Sequence, residues 1–105
     1  MILCAAIRYT FVNDEGVDDT VTLMGYRHGE CIRIWGKYIK PHCKQKIQEV
    51  QGFITDEGKF LDRVSARKHF IECGQGTPEF PNELYSEDLY DGCSEMWEEA
   101  CENVR

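Results

Sequence analysis

A cluster of arginine, histidine and glycine is the first feature of this 105-residue sequence that could do chemistry. Arg27-His28-Gly29 lies in a predicted connection between a strand and a helix. Backbone amides and a guanidinium at such a position can bind an anion, although the same residues also suit a simple turn before a helix. We therefore take Arg27 and His28 as candidate ligand-binding residues.

Two further segments contain residue types that suit a nucleotide. In Gln51-Gly52-Phe53 the glycine permits close backbone approach, and the flat ring can stack on a base; the alternative is a hairpin with Phe53 in the core. Asp62-Arg63 combines a carboxylate with a cation, and its alternative is a helix N-cap followed by an exposed base. Phe53, Asp62 and Arg63 complete the set of candidate ligand-binding residues.

Catalytic chemistry has weaker support in the sequence. The three histidines, His28, His42 and His69, are the acid/base candidates, and His69 falls inside a predicted helix. A nucleophile elbow, a phosphate-binding Gly-x-x-x-x-Gly-Lys loop and a zinc-protease motif are all missing. We therefore predict that the protein is not an enzyme and has no catalytic residues.

The cysteines do not form a metal-binding or disulfide pattern. The sequence has six cysteines but no Cys-x-x-Cys pair, and no secretory signal is apparent at its start. His42 and Cys43 are sequence neighbours, so their side chains normally diverge. Reduced thiols, no metal site and no cofactor are the resulting predictions.

Charge is concentrated near the end of the sequence. Residues 79–105 contain nine acidic residues and one basic residue, within a net charge of -7 for the chain. This balance argues against a duplex nucleic acid partner, and no apolar run is long enough to span a membrane. The acidic end is typical of a solvated helix, with a docking surface for a protein as the alternative.

The first half of the chain predicts a hairpin followed by a helix. Residues 3–12 and 20–24 have strand composition and flank the turn residues 13–16. A helix is predicted over residues 30–39, weakened by Gly36 and ended by Pro41; its apolar face comprises Cys31, Ile34, Trp35, Tyr38 and Ile39. Lys37, Lys40, Lys44 and Lys46 are expected around the helix end, where positive charge is favourable.

The second half repeats this order of elements. A second hairpin is predicted from residues 50–55 and 59–61, then a helix over 63–73 with Asp62 as N-cap and Gly74 as the stop. An extended loop follows over 76–82, and Ser94 can cap a C-terminal helix. We predict one domain over 1–105 of the α+β class: an antiparallel sheet with two packed helices and a C-terminal helix, 91–105 being a helical extension.

Short motifs in residues 3–90 resemble a family of small bacteriophage proteins, the Thoeris anti-defence protein 1 family. The motifs, in order, are Cys4-Ala5-Ala6-Ile7, Gly25-Tyr26-Arg27-His28-Gly29, Gln51-Gly52-Phe53-Ile54-Thr55, Gly58-Lys59-Phe60-Leu61-Asp62-Arg63, Glu72-Cys73-Gly74-Gln75 and Leu84-Tyr85-Ser86-Glu87-Asp88-Leu89-Tyr90. The chain differs from the family in its cysteine content, its interrupted first helix and its extension over 91–105.

The resemblance implies a nucleotide sponge that acts in the host bacterial cytoplasm. Such proteins bind cyclic ADP-ribose isomers, and in some members cyclic oligonucleotides, without hydrolysing them. The resemblance also implies a homo-oligomer with ligand pockets between protomers. It assigns Arg27 to a phosphate, Phe53 to base stacking, and Asp62 and Arg63 to a ribose or phosphate.

Two other functions are compatible with the residues alone. A hydrolase of the same nucleotides would use His28 or His69 as an acid/base group. A small acidic protein could instead inhibit a host defence protein by direct binding through its acidic end. Glu87 and Asp88 have their own alternatives: a ribose hydroxyl, an arginine of a neighbouring subunit, or a turn.

Overall fold

Two glycine-containing turns shape the sheet in the computed structural model, which describes residues 1–90. Gly16 and Gly58 have φ values of +78° and +79°, a region that residues with a side chain rarely adopt. In the first turn the Asn13 side-chain oxygen accepts a hydrogen bond from the backbone amide of Glu15 at 2.9 Å. Both predicted hairpins are confirmed.

The sheet has four antiparallel strands in the order β2-β1-β3-β4. Their bounds are β1, Ile2–Asn13; β2, Asp18–Gly25; β3, Cys43–Thr55; and β4, Phe60–Asp62. The central pair aligns Ala5 with Phe53 and Ile7 with Gln51. With the helices described next, this sheet confirms the predicted α+β class.

Strand β3 begins seven residues earlier than the predicted start at residue 50. Lys44 and Lys46 therefore lie on a strand, and the prediction that they surround a helix end was wrong. Residues 44–49 are exposed, so this half of β3 has no apolar alternation to reveal it. It still pairs with β1, but through two register shifts, at Thr10/Phe11 and at Val12/Asn13.

The first helix is shorter than predicted and changes type. Helix α1 spans His28–Ile34, continues as a π-helical segment over Trp35–Ile39 and ends in a 3₁₀ turn over Lys40–His42. A π turn contains an extra residue, which shifts the helical spacing. Trp35 is buried as expected, whereas Tyr38 is 60% exposed and is not part of the apolar face.

The second helix follows its local signals closely. Helix α2 spans Arg63–Glu72, and the Asp62 carboxylate accepts a hydrogen bond from the Ser65 amide at 2.8 Å. Gly74 follows it with φ +66°. Residues 73–85 contain no helix or strand, which agrees with the extended loop over 76–82, and a short helix α3 spans Ser86–Tyr90. The predicted helix after Ser94 and the extension 91–105 lie outside the described residues.

Helices α1 and α2 both pack on one face of the sheet. Alternate residues of β1 point to this face, where Ala5 packs under α2 and Ile7 packs under α1. The α2 cluster comprises Ile2, Ala5, Phe53, Ala66, Phe70 and Leu84. The α1 cluster comprises Ile7, Tyr9, Phe11, Cys31 and Trp35, with the rings of Tyr9 and Trp35 stacked at 4.1 Å. The boundary between these clusters is where most of the predicted site residues meet.

Candidate functional site

Four of the five predicted site residues lie together where α1 and α2 begin. Arg27 immediately precedes α1 and His28 starts it, while Arg63 starts α2. Phe53 lies between them on β3, with the edge of its ring against the His28 ring at 5.1 Å between centroids. We call the group of Arg27, His28, Gln51, Arg63, Tyr85 and Glu87 the Arg27–Arg63 site.

His28 is a buried, hydrogen-bonded residue at the base of this site. Its side chain is 7% exposed, and its Nε2 lies 2.8 Å from the backbone oxygen of Gly52. Since a carbonyl oxygen only accepts, Nε2 carries the hydrogen. Burial is the largest effect and lowers the pKa of His28, while the hydrogen bond with Gly52 partly opposes it. Arg63 lowers the pKa by a smaller amount, and Glu87 opposes with the smallest effect. A neutral His28 therefore holds β3 against α1 and is unsuited to bind an anion as a cation.

Phe53 cannot have the predicted stacking role in this structure. Its side chain is 0% exposed and packs in the core with Ala66, Phe70 and Leu84. A ring without an exposed face offers no surface to a base. The core alternative that the sequence left open for Phe53 is the one observed.

Arg63 is the most constrained cation of the site. Its Nη2 donates a hydrogen bond to Gln51 Oε1 at 2.6 Å, and its guanidinium carbon lies 4.6 Å from the centre of the Tyr85 ring. Its Nε is buried and has no hydrogen-bond partner among residues 1–90. A buried donor without a partner is costly, at about 1–3 kcal/mol. An acceptor that reached this nitrogen would remove that cost.

Arg27 is the more accessible cation. Its Nη1 lies 3.4 Å from Glu87 Oε1, with the two side chains 42% and 64% exposed, and its guanidinium is 5.3 Å from the Tyr26 ring centre. An exposed ion pair of this kind contributes about 1 kcal/mol or less. Glu87 thus contacts an arginine of its own chain, where the sequence left open a neighbouring subunit.

Asp62 is placed differently from the other four residues. Its carboxylate caps α2 through the Ser65 amide and is exposed. This is the N-cap alternative that the sequence left open. The cap fixes the start of α2 and therefore the position of Arg63, the next residue.

Sequence reasoning assigned no role to Gln51 or Tyr85, although both fall inside the quoted motifs. Gln51 lies two residues before Phe53 on the same strand, so both side chains point to the helix-covered face. This two-residue spacing is the sequence signal from which the orientation of Gln51 could have been predicted. The contact of Tyr85 with Arg63 joins residues more than twenty positions apart and has no local signal.

Stability should fall in mild acid because His28 is buried in its neutral form. Its folded-state pKa is lowered, so the unfolded chain takes up the proton first as the pH falls below about 6.5. The stabilisation is complete above that pH and is lost below it, by at most about 1.4 kcal/mol per pH unit for one proton. Urea unfolding at several pH values measures this slope. His28→Asn should flatten it and His69→Gln should retain it; an unchanged slope in His28→Asn would contradict the assignment.

The cysteines and His42 of the described residues do not form a metal site. The four cysteines within residues 1–90 are free thiols, and no group of three or more metal-binding side chains occurs among those residues. His42 is exposed, with its Nδ1 3.3 Å from Asp14 Oδ2. No helix in the described part is long and apolar enough to span a membrane.

The fold and site define a two-layer α+β protein. Near the start of each helix an arginine lies beside a tyrosine ring: Arg27 beside Tyr26 and Arg63 beside Tyr85. The family model of the phage T4 y16D protein matches residues 1–90, so the chain belongs to this phage protein family. Comparisons with curated proteins and with solved structures gave no match. The family's name states no ligand, and the resemblance to the Thoeris anti-defence family stays a prediction.

Proposed function

We propose that this phage protein binds a cyclic nucleotide signal at the Arg27–Arg63 site and sequesters it without cleaving it. The observation that carries the proposal is Arg63, which has one donor fixed by Gln51, its flat face against Tyr85, and a buried Nε with no partner among the described residues. A phosphate oxygen is a natural acceptor for such a guanidinium.

The surrounding residues supply the other contacts that a nucleotide needs. Arg27 adds a second, partly exposed cation, which lies 3.4 Å from the exposed carboxylate of Glu87. Tyr26 and Tyr85 are partly exposed rings, each with an arginine nearby, and they replace Phe53 as the surfaces on which a base would stack. Glu87, released from Arg27, can accept a hydrogen bond from a ribose hydroxyl. Phosphate, base and sugar thus each have a partner of suitable chemistry.

Sequestration requires tight binding and no activated nucleophile, since a sponge lowers the free signal by mass action. The neutral, buried His28 already donates to Gly52, which leaves it poorly suited to exchange protons with a ligand. This supports binding over hydrolysis. The resemblance makes cyclic ADP-ribose isomers the first ligands to test and cyclic oligonucleotides the second.

Assembly and location are part of the same proposal. We place the protein in the host bacterial cytoplasm as a homo-oligomer, following the resemblance. The sheet face opposite the helices supports an assembly because it has large exposed or partly exposed side chains: Met24 is 56% exposed, and Arg8 lies over the Phe60 ring at 4.5 Å. A second copy packed there would leave the Arg27–Arg63 site on the other face, so this contact would not form the pockets between protomers that the resemblance implies.

Equilibrium dialysis against single cyclic nucleotides tests the binding step directly. We expect at least one cyclic ADP-ribose isomer or cyclic oligonucleotide to accumulate on the protein side, in a manner that Arg27→Ala weakens. Arg33→Ala, which removes the same charge from an exposed position on α1, is the matched control and should bind normally. Equal distribution of every nucleotide across the membrane would reject the proposal.

A further inference from the structure

A second group of reactive side chains lies outside the Arg27–Arg63 site, where the start of β1, the β3–β4 turn and the end of α2 meet. The Met1 ammonium is 2.7 Å from Asp56 Oδ1, and the Asp56 amide donates to the Met1 oxygen at 2.9 Å. His69 and Cys73 lie one helical turn apart on the same side of α2 and its end. Together they line a cavity of about 290 Å³ with Lys59 and Glu57.

Among the described cysteines, Cys73 is distinguished by an imidazole nitrogen within hydrogen-bond distance of its sulfur. Its Sγ lies 3.4 Å from His69 Nε2, and its side chain is exposed. Burial raises the pKa of Cys31 to about 11 and also raises the pKa of Cys4, so these thiols react poorly. Cys43 is a free, partly exposed thiol and provides an internal comparison.

The charged neighbours of Cys73 and His69 are the Met1 ammonium and the Asp56 carboxylate. Asp56 raises the pKa of the Met1 amino group, and Cys73 adds a smaller effect in the same direction. The same ammonium lowers the pKa of Asp56, with a smaller contribution from His69. The thiol, the imidazole and the ammonium line the same cavity, and the thiol and the imidazole are in hydrogen-bond contact.

We propose that Cys73 is a site of reversible mixed-disulfide formation with small zwitterionic disulfides built from amino acids, with His69 as the proton acceptor. The cavity beside the thiol has both signs of charge, from Met1 and Lys59 and from Asp56 and Glu57, which suits a molecule with ammonium and carboxylate groups. This function is independent of nucleotide binding, because the cavity shares no residue with the Arg27–Arg63 site.

The reaction balances without any reagent beyond the disulfide itself. The sulfur of Cys73 attacks one sulfur of the small disulfide while the thiol proton moves to His69 Nε2. The S–S bond of the small molecule breaks, its second sulfur leaves as a thiolate, and that thiolate takes the proton from His69. One mixed disulfide on Cys73 and one free small thiol result.

The test is the rate of modification by glutathione disulfide, mapped to each cysteine by mass spectrometry of the folded protein. We expect Cys73 to react at least about tenfold faster than it does in the urea-unfolded chain, a modest gain for an adjacent general base. His69→Gln should remove this difference, and circular dichroism checks that the variant folds. Lys59→Gln should slow glutathione disulfide while leaving the uncharged hydroxyethyl disulfide unaffected.

Two outcomes would overturn the proposal. Cys73 in the folded protein could react no faster than in the unfolded chain, or His69→Gln could leave its rate unchanged. A Cys73→Ser variant that still binds the nucleotide found by dialysis would separate this site from the proposed function, so either proposal can fail alone.

Discussion

Gly52→Ala is expected to destabilise the protein by about 3 kcal/mol or more, the high end of what overpacking costs. A β-carbon at this position would overlap the backbone oxygen of Leu61 and come within 2.9 Å of Phe60 Cζ. A backbone carbonyl cannot move aside as a flexible side chain can, so β4 would have to separate from β3. The Gly52 oxygen also accepts the hydrogen bond from His28, and the site would be disturbed with the sheet.

Chemical and thermal unfolding measure this effect, with Gly36→Ala as the matched control. A β-carbon at Gly36 meets no atom within 4 Å, and its φ lies outside the positive region. Since alanine favours helix over glycine by up to about 1 kcal/mol, the control should be as stable as the parent or slightly more stable. A Gly52→Ala protein with parental stability would show that β3 and β4 do not approach as described.

Arg63→Ala should reduce nucleotide affinity by about 100-fold, as expected for losing two charge-assisted hydrogen bonds. The substitution removes the cation, the fork-shaped donor and the surface against Tyr85 together. Arg63→Lys keeps the charge but not the planar fork, so its affinity should fall about tenfold. Equilibrium dialysis with the nucleotide that the parent binds gives both values.

Arg33→Ala again controls for the loss of one positive charge. Arg33 is exposed on α1 and makes no described contact with the Arg27–Arg63 site. Thermal unfolding should show that Arg63→Ala remains folded, because the residue starts α2 while Asp62 keeps the cap. If Arg63→Ala and Arg33→Ala bind the nucleotide equally well, the ligand binds elsewhere.

Local signals predicted the parts of the fold that local chemistry determines. Turn residues before Gly16 and Gly58 gave both hairpins, and Asp62 and Gly74 gave the two ends of α2, because caps and positive-φ turns are decided by a few neighbouring residues. The exposed half of β3 had no such signal. Its strand conformation comes from pairing with β1, which only the folded sheet provides.

The site was predictable in composition but not in geometry. Arg27 and Arg63 could be named from residue type, and the structure brings them to the same end of the helical layer. The burial of Phe53 depends on its register opposite Ala5 and on α2 packing above it, which are both long-range features. The contact of Tyr85 with Arg63 is also long-range, so the sequence could not predict it.

Recovery of an unaltered ligand is the most direct test of sequestration. The protein is mixed with cyclic ADP-ribose isomers and cyclic di- and trinucleotides, filtered, denatured by heat and analysed by chromatography. Our account predicts that one nucleotide disappears from the filtrate and returns intact after denaturation. Appearance of a product would contradict it in favour of a hydrolase, and an undiminished panel would contradict it in favour of a protein partner.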